Sequence, residues 1–466
     1  MSEPLLDLSG HSTTPQGFLA GSVYAGVKTY GEGKLDLGIL VSERPCTTAA
    51  TYTRNVLHSA SVDINRARLA ARPARGVVVN SGVANSSTGE RGIADGRQLT
   101  AWAAQRAGVE AEDVLVCSTG VIGHYLPMDK LEAGVKAIEL SRDGGAALAR
   151  AIMTTDTRPK SAAVRFGEYT LGGCCKGSGM IHPNMATMLA FLTTDAPVEQ
   201  GFLQQALSEA VDRSFNLVSI DGDTSPSDTV LLFANGAAGG EIIAAASPLA
   251  GDFRAALGAL CVFLAKEIAR DGEGATRVIE FRVTGGATEA EARTMVRLLS
   301  TSYLLKSAVH GADPNWGRVT AVIGRSGLTV NEPGVRISIC GITVFERERP
   351  TEFDALKLSE AMKAETVGID VDLGAGDGEA TGWGCDLRPS TSQSTRITTR
   401  EPTGPLVIKI GGSTLGSADT TFRGRRGARQ LRRSADRRPR WWRRGEPLAG
   451  SDADPIAIRA RTAGYG

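Results

Sequence analysis

The stretch Lys176-Gly-Ser-Gly-Met-Ile-His-Pro-Asn-Met-Ala-Thr-Met-Leu-Ala-Phe191 constrains this chain more than any other. A glycine-broken turn empties into an apolar run, an order that demands a bend followed at once by a buried strand. Thr187 heads that run. β-Branched residues pack well on a pleated surface, so most threonines at such places are there for packing. The position also permits a more specific chemistry. A threonine hydroxyl becomes a nucleophile only with a base beside it, and a chain cut just before the threonine turns the freed α-amine into that base. The small side chain of Ala186 leaves room for the hydroxyl to reach the preceding carbonyl and make the cut itself.

With 466 residues and 42% hydrophobic composition the chain can bury one large core or two, which excludes a disordered protein. No uncharged apolar run reaches the ~18 residues of a membrane span. Met1-Ser-Glu-Pro-Leu-Leu-Asp7 lacks the basic-then-apolar order of a secretory signal. Cysteines at 46, 117, 174, 175, 261, 340 and 385 form an odd set without metal spacing, which suits reduced thiols in a cytosolic protein. The net charge of +1 hides an asymmetry: residues 388–466 hold 16 Arg and one Lys against six acids, or +11, so the other 387 residues sum to −10. A basic tail on an acidic body opens the reading of a nucleic-acid arm.

Short strands are expected over 35–41, 48–53 and 76–80, then helices over 96–107 and 128–140 around a strand at 113–117. Single strand-like segments follow at 161–172 and 185–193. Helix 198–212 puts Phe202, Ala206 and Ala210 on one face, and helix 253–269 spaces Phe253, Leu257, Leu260, Cys261, Leu264 and Ile268 for a core. Strand 277–283, one helix over 287–304, several strands up to 346 and helix 354–364 complete the pattern. Strands and helices alternate without a strict βαβ rhythm, so the class is α/β, with mixed sheets covered by helices.

Several residues offer chemistry, each beside a plainer reading. Cys117-Ser-Thr119-Gly120-Val-Ile-Gly123 ends a strand and opens a turn where a hydroxyl and a backbone N–H can converge on a tetrahedral oxyanion. An ordinary Ser/Thr turn has the same look. Lys176 offers an ammonium for a carboxylate, or is a solvated surface lysine. Thr154 in Thr154-Thr-Asp-Thr157 offers a hydroxyl, or only closes a helix over 144–153. Glu273 in Asp271-Gly-Glu-Gly-Ala-Thr276 reads, on the residues alone, as part of a capping turn after helix 253–269. Asp221, Asp223 and Asp228 lack the glutamate that completes a calcium loop, so no metal is expected. Asn315-Trp316 reads as buried architecture. The histidines at 11, 58, 124, 182 and 310 lie on turns without Ser/His/Asp spacing, and His182 stands near the 186–187 bond.

Gly26-Val-Lys28, the run 36–42, Val79-Asn-Ser-Gly-Val-Ala-Asn85, the 117–120, 154–157 and 176–191 stretches, Asp221-Gly-Asp-Thr224, the 271–276 turn, Gly311-Ala-Asp-Pro-Asn-Trp-Gly-Arg318 and Gly382-Trp-Gly-Cys-Asp-Leu387 follow one another in that order. Over roughly residues 15–387 the chain thereby resembles the ornithine acetyltransferases, or glutamate N-acetyltransferases, of arginine biosynthesis. The resemblance implies a layered α/β/β/α fold, self-cleaved between Ala186 and Thr187 into residues 1–186 and a second chain whose folded part is 187–387. It implies Thr187 as nucleophile, Thr119 and Gly120 as the oxyanion pair, and Thr154, Lys176, Thr187 and Glu273 as substrate contacts. The implied reaction moves acetyl from N-acetylornithine to glutamate through an acetyl-threonine. It needs no cofactor, although some relatives also accept acetyl-CoA, a point the residues leave open. The two pieces are expected to assemble as an α2β2 heterotetramer in the cytoplasm, with no membrane contact. Two other readings stay open: an N-terminal-nucleophile amidase or aminopeptidase, and a nucleic-acid-binding protein acting through its arginine-rich tail.

The resemblance stops after Leu387. There the family has a final strand supplying an asparagine and a terminal threonine, and this chain reads Arg388-Pro-Ser-Thr-Ser-Gln393. Gly404-Pro-Leu-Val-Ile-Lys-Ile-Gly-Gly-Ser-Thr-Leu-Gly416 resembles the opening of N-acetylglutamate kinase, until Arg423-Gly-Arg-Arg426 begins an arginine-rich run. One strand and one turn cannot make a phosphotransferase. Residues 388–466 are therefore expected to be an aberrant, poorly ordered tail produced by a shifted reading frame. Codons for Pro389-Ser-Thr-Ser392, read one base earlier, can encode a Glu-Tyr-Val series.

Overall fold

The computed structural model describes residues 4–28, 33–182 and 188–387, so Ala186, Thr187 and the basic tail lie outside the described residues. The expected buried strand runs over Leu189–Thr194, with all six residues buried. It lies inside a six-stranded sheet whose order is Leu6–Asp7, Lys160–Phe166, Tyr169–Lys176, Leu189–Thr194, Thr229–Ala234, Thr47–Tyr52. Successive side chains of a strand point to opposite faces. Leu189 and Phe191 pack, with Leu231 and Phe233, against Leu40, Val77, Val79 and Leu115 of a four-stranded sheet. That sheet comprises Phe18–Val23, Leu37–Ser42, Gly76–Val83 and Val114–Val121. Ala190 and Leu192 turn the other way, onto helices Gln200–Asp212 and Ala250–Arg270.

The far face of the four-stranded sheet is closed by helices Gly89–Ala107 and Met128–Ala137, through Leu99, Ala103, Leu131 and Val135 packed on Ile39, Val78 and Val116. The layers are therefore α/β/β/α, as the resemblance implied. A seven-stranded mixed sheet adds to them: Val218–Ser219, Gly378–Cys385, Val278–Gly286, Thr366–Asp372, Arg336–Ile339, Ile342–Glu346, Arg349–Pro350. Ile279, Phe281 and Val283 meet helix Glu289–Ser300 on one face, while Val278, Trp383 and Cys385 join the core beneath helix Ala250–Arg270. Among the described residues no helix is long and apolar enough to cross a membrane. All seven cysteines are described; none is bridged and six are buried.

Three expectations need correction. The single strand over 161–172 is a hairpin, Lys160–Phe166 and Tyr169–Lys176, turned by Gly167 at φ +54°. The single helix over 287–304 is two. Thr288 caps Glu289–Ser300 by accepting from Glu291 N at 3.2 Å, and Ser302 starts Tyr303–His310. Gly317–Gly324 is a helix where strands were expected. Its β-branched residues favour strands locally, yet Val319, Val322 and Ile323 fall at helical spacing and are all buried, and that tertiary burial decides. Trp316 before it is half-buried, its ring 5.3 Å from that of Phe345, whereas Asn315 is exposed.

Candidate active site

Strand Val114–Val121 runs four residues past its expected end, so Thr119 and Gly120 stay in the ladder, paired in parallel with Ser81 and Gly82. Two backbones meet there with no side chain between them. Gly120 has φ +130° and a Cβ on it would collide with the Gly82 backbone. Gly82 has φ +117°, and its Cβ would stand 3.0 Å from Lys28 N. Only glycine tolerates both constraints together. Asn80 accepts from Ser118 Oγ at 2.6 Å and donates to Val83 O at 2.9 Å. Ser81 Oγ donates to Ala151 O at 2.5 Å, tying this turn to the end of helix Gly145–Ala151. Thr119 itself is buried.

Lys28, placed against Gly82, is buried, and its ammonium donates to Leu35 O at 2.7 Å. Burial pulls its pKa down to about 8 against the opposing pull of Asp36 and Asp156. Asp36 in turn accepts from the backbone N–H groups of Ala25, Val27 and Lys28 at 2.6, 2.7 and 3.0 Å, fixing that bend.

Thr154 follows helix Gly145–Ala151 by three residues and is half-buried. Its N–H donates to Asp156 Oδ2 at 3.0 Å. Asp156 Oδ1 also accepts from Gly177 N at 2.7 Å, which fastens this loop to the residue after Lys176. Lys176 is neither in a turn nor solvated. It is the last residue of strand Tyr169–Lys176, paired with Leu189 and buried. Burial pulls its pKa below the ordinary lysine value, with Asp156 and Asp228 opposing. Among the described residues its ammonium has no hydrogen-bond or ion-pair partner. Glu273 lies in the turn after helix Ala250–Arg270. Its N–H donates to Ser178 O at 2.8 Å, and its carboxylate lies over Gly179, where any Cβ would collide with it. Thr154, Lys176 and Glu273 thus sit on three segments joined by direct hydrogen bonds.

The approach to residue 183 is also fixed. Met180 holds φ +56°, a strained value for a side-chain-bearing residue, while Asp221 accepts from the N–H groups of Met180, Ile181 and Asp223. These three bonds fix the Asp221 carboxylate, and burial raises its pKa. Arg297 Nη2 is 2.9 Å from His182 Nε2. Arginine only donates, so Nε2 accepts and Nδ1 carries the proton towards Ser219 Oγ at 3.1 Å. Burial, reinforced by Arg297, lowers the His182 pKa to about 4. On the far side, Met188 is buried and its carbonyl accepts from Thr229 N at 2.9 Å.

Sequence reasoning missed four partners: Lys28, Asn80, Lys160 and Asp271. Lys160 carried a signal, a charge opening the apolar run Lys160-Ser-Ala-Ala-Val164 four residues after Asp156. Asp271 acts through contacts more than 110 residues away, whereas Lys28 and Asn80 also bond near neighbours, Leu35 and Val83, through turns that no local pattern marks.

The ArgJ family model matches residues 19–390. The arginine biosynthesis bifunctional protein ArgJ of Dehalococcoides mccartyi is 46% identical over 382 residues, covering 81% of this chain and 94% of that one. The protein of the same name from Symbiobacterium thermophilum is 47% identical over 386 residues, 82% and 96% of the two chains. Among solved structures, an ornithine acetyltransferase from Mycobacterium tuberculosis, complexed with ornithine, is 40% identical; the match covers 39% of this chain and 99% of that one at a TM-score of 0.38. With a match of that extent on the sequence, the chain belongs to the ArgJ family of arginine-biosynthesis enzymes.

Proposed function

We propose that this chain moves an acetyl group from N-acetylornithine to glutamate by a two-step exchange on Thr187. One observation supports this most: in an ArgJ-family chain, the segments bearing Thr119–Gly120, Thr154, Lys176 and Glu273 are linked to one another by hydrogen bonds. Self-cleavage after Ala186 frees the Thr187 α-amine, whose ordinary pKa of about 7.7–8.0 suits it to take and return the hydroxyl proton. The hydroxyl attacks the acetyl carbonyl. The Thr119 hydroxyl and the Gly120 N–H stabilise the oxyanion, each such donor contributing about 2.7–4 kcal/mol. Ornithine leaves with the proton, and the glutamate amine attacks the acetyl-threonine in the reverse sense.

The Lys176 ammonium, without a hydrogen-bond or ion-pair partner among the described residues, suits the α-carboxylate that both substrates share. Glu273 suits the free side-chain amine of the ornithine half, and Thr154 supplies a further hydrogen bond. One amide forms as another breaks, so the exchange requires no cofactor or metal. In this reading residues 1–186 form one chain, 187–387 the folded part of the other, and two of each make a cytoplasmic α2β2 assembly. Family membership favours transfer over hydrolysis by an amidase-like relative.

Intact mass and product analysis test the proposal together. Purified protein should give pieces 1–186 and 187–466 and make N-acetylglutamate from N-acetylornithine and glutamate. Thr187→Ala should stay whole and inactive, and Thr187→Ser should still cut because the hydroxyl is kept. Full transfer by an uncut chain would overturn the mechanism, and acetate as the product would mark an amidase. Thiol release from acetyl-CoA reads the second donor in the same preparation.

A further inference from the structure

Beneath the three linked segments lies one cation that no described reaction step uses. Lys160 opens strand Lys160–Phe166, is 1% exposed, and places Nζ 2.6 Å from Asp156 Oδ1 and 2.6 Å from Asp271 Oδ2. Each carboxylate holds backbone on its other side. Asp156 receives the N–H of Thr154 and of Gly177. Asp271 receives the N–H and the hydroxyl of Thr157, and its own carbonyl receives Ser178 Oγ at 2.6 Å, one link from Glu273. All three segments that bear Thr154, Lys176 and Glu273 therefore hang from the Lys160 ammonium through two carboxylates.

Stability alone is a poor reason for such a triad. Desolvating three charges costs about as much as their attraction returns, and apolar replacements of buried ion groups are often neutral or stabilising. The charges have a second relationship that matters more. Asp156 lies in the field of Lys176 as well as that of Lys160. Burial works against its ionised carboxyl, but the two lysines outweigh burial and hold its pKa below the ordinary value. Asp156 pairs with Lys160 at 2.6 Å, and through Gly177 N at 2.7 Å it also stands beside the residue that carries the second ammonium, Lys176.

We propose that Lys160 is a positioning residue that engages Asp156 and thereby keeps the Lys176 ammonium free for a substrate carboxylate. The inference rests on the acetyltransfer reading and deepens it. Without Lys160, Asp156 turns its charge to Lys176, and the protein supplies the anion that the substrate should supply. Binding of both amino-acid substrates then weakens, whereas the acetyl step on Thr187 proceeds as before once they are bound.

The test is steady-state kinetics of the processed, full chain. Lys160→Met should raise KM for N-acetylornithine and for glutamate at least tenfold while kcat changes less than threefold. Adding Asp156→Asn, which removes the competing charge but keeps a carbonyl acceptor, should recover most of the loss in KM. A purely structural ion pair predicts instead that Lys160→Met lowers stability and kcat along with raising KM, and that the double variant recovers all three together, whereas the positioning role moves KM alone. Lys160→Gln keeps N–H donors without the charge and serves as the variant if the methionine chain does not fold; it should behave as Lys160→Met does. An unchanged KM in either folded single variant, or a double variant with KM no better than its parent, overturns the role. Transfer by the unsubstituted chain is measured alongside: its absence would overturn the acetyltransfer reading, whereas its presence with KM unmoved would overturn the Lys160 role alone.

Discussion

His182 has a protonation state fixed from both sides, Arg297 donating to Nε2 and Ser219 facing Nδ1. Burial disfavours a second proton and the Arg297 charge adds to it, which is why the pKa falls from the usual 6.5 to about 4. The consequence for stability has a definite sign. Between pH 6.5 and 4 the unfolded chain takes up the proton and the folded chain does not, so folding weakens as pH drops through that window. Urea midpoints measured from pH 7 to 4 should fall more steeply for the natural chain than for His182→Gln; parallel curves would show that this histidine is not desolvated. The sequence made His182 visible only as a neighbour of the 186–187 bond. Its arginine comes from 115 residues away, and no local pattern announces such a partner. Motif wording singled out Thr154, Lys176 and Glu273 in the sequence, but the burial of Lys176 was not legible, because a glycine-rich neighbourhood reads as solvent-exposed turn.

Elements placed these side chains more than local propensity did. The strand pair Gly76–Val83 and Val114–Val121 carries its register on to two facing glycines, both at positive φ. Gly82→Ala should destabilise the chain by about 1–3 kcal/mol, the usual size of such backbone strain. It should also lower kcat, because the Thr119–Gly120 turn would be pushed off its partner. Denaturant titration and single-turnover kinetics check the two effects, and an alanine variant with the natural midpoint would show that the close approach is not needed. The buried strand Leu189–Thr194 was readable because Met188-Leu-Ala-Phe-Leu192 is an unbroken apolar run. The hairpin at Gly167 and the break at Ser302 were not, since a two-residue turn and a single cap interrupt otherwise continuous patterns. Helix Gly317–Gly324 was hidden by strand-forming residues whose burial only the assembled core could reveal.

Taken together, the layers explain why a cut chain need not come apart. In the six-stranded sheet, Leu189–Thr194 pairs with Tyr169–Lys176 on one side, and Thr229–Ala234 pairs with Thr47–Tyr52 on the other. Pieces 1–186 and 187–466 should therefore co-elute as one species in native size exclusion and separate only in denaturant; separation in native buffer would contradict this sheet order. The family match ends at residue 390, close to where the wording of the sequence changes, and the expected reading-frame origin of the tail lies outside the described residues. Resequencing the coding DNA across codons 385–425 addresses that question directly.

The interleaving of strands from before and after residue 186 also imposes an order in time. Leu189 and Phe191 complete a core shared with Leu40, Val77 and Leu115, so neither piece made separately contains a finished interior. On the proposed self-cleaving reading, folding comes first and scission second. On that reading the fraction of molecules found cut is a molecular clock stamp, recording in covalent form which chains once reached the native state, even after they have since unfolded.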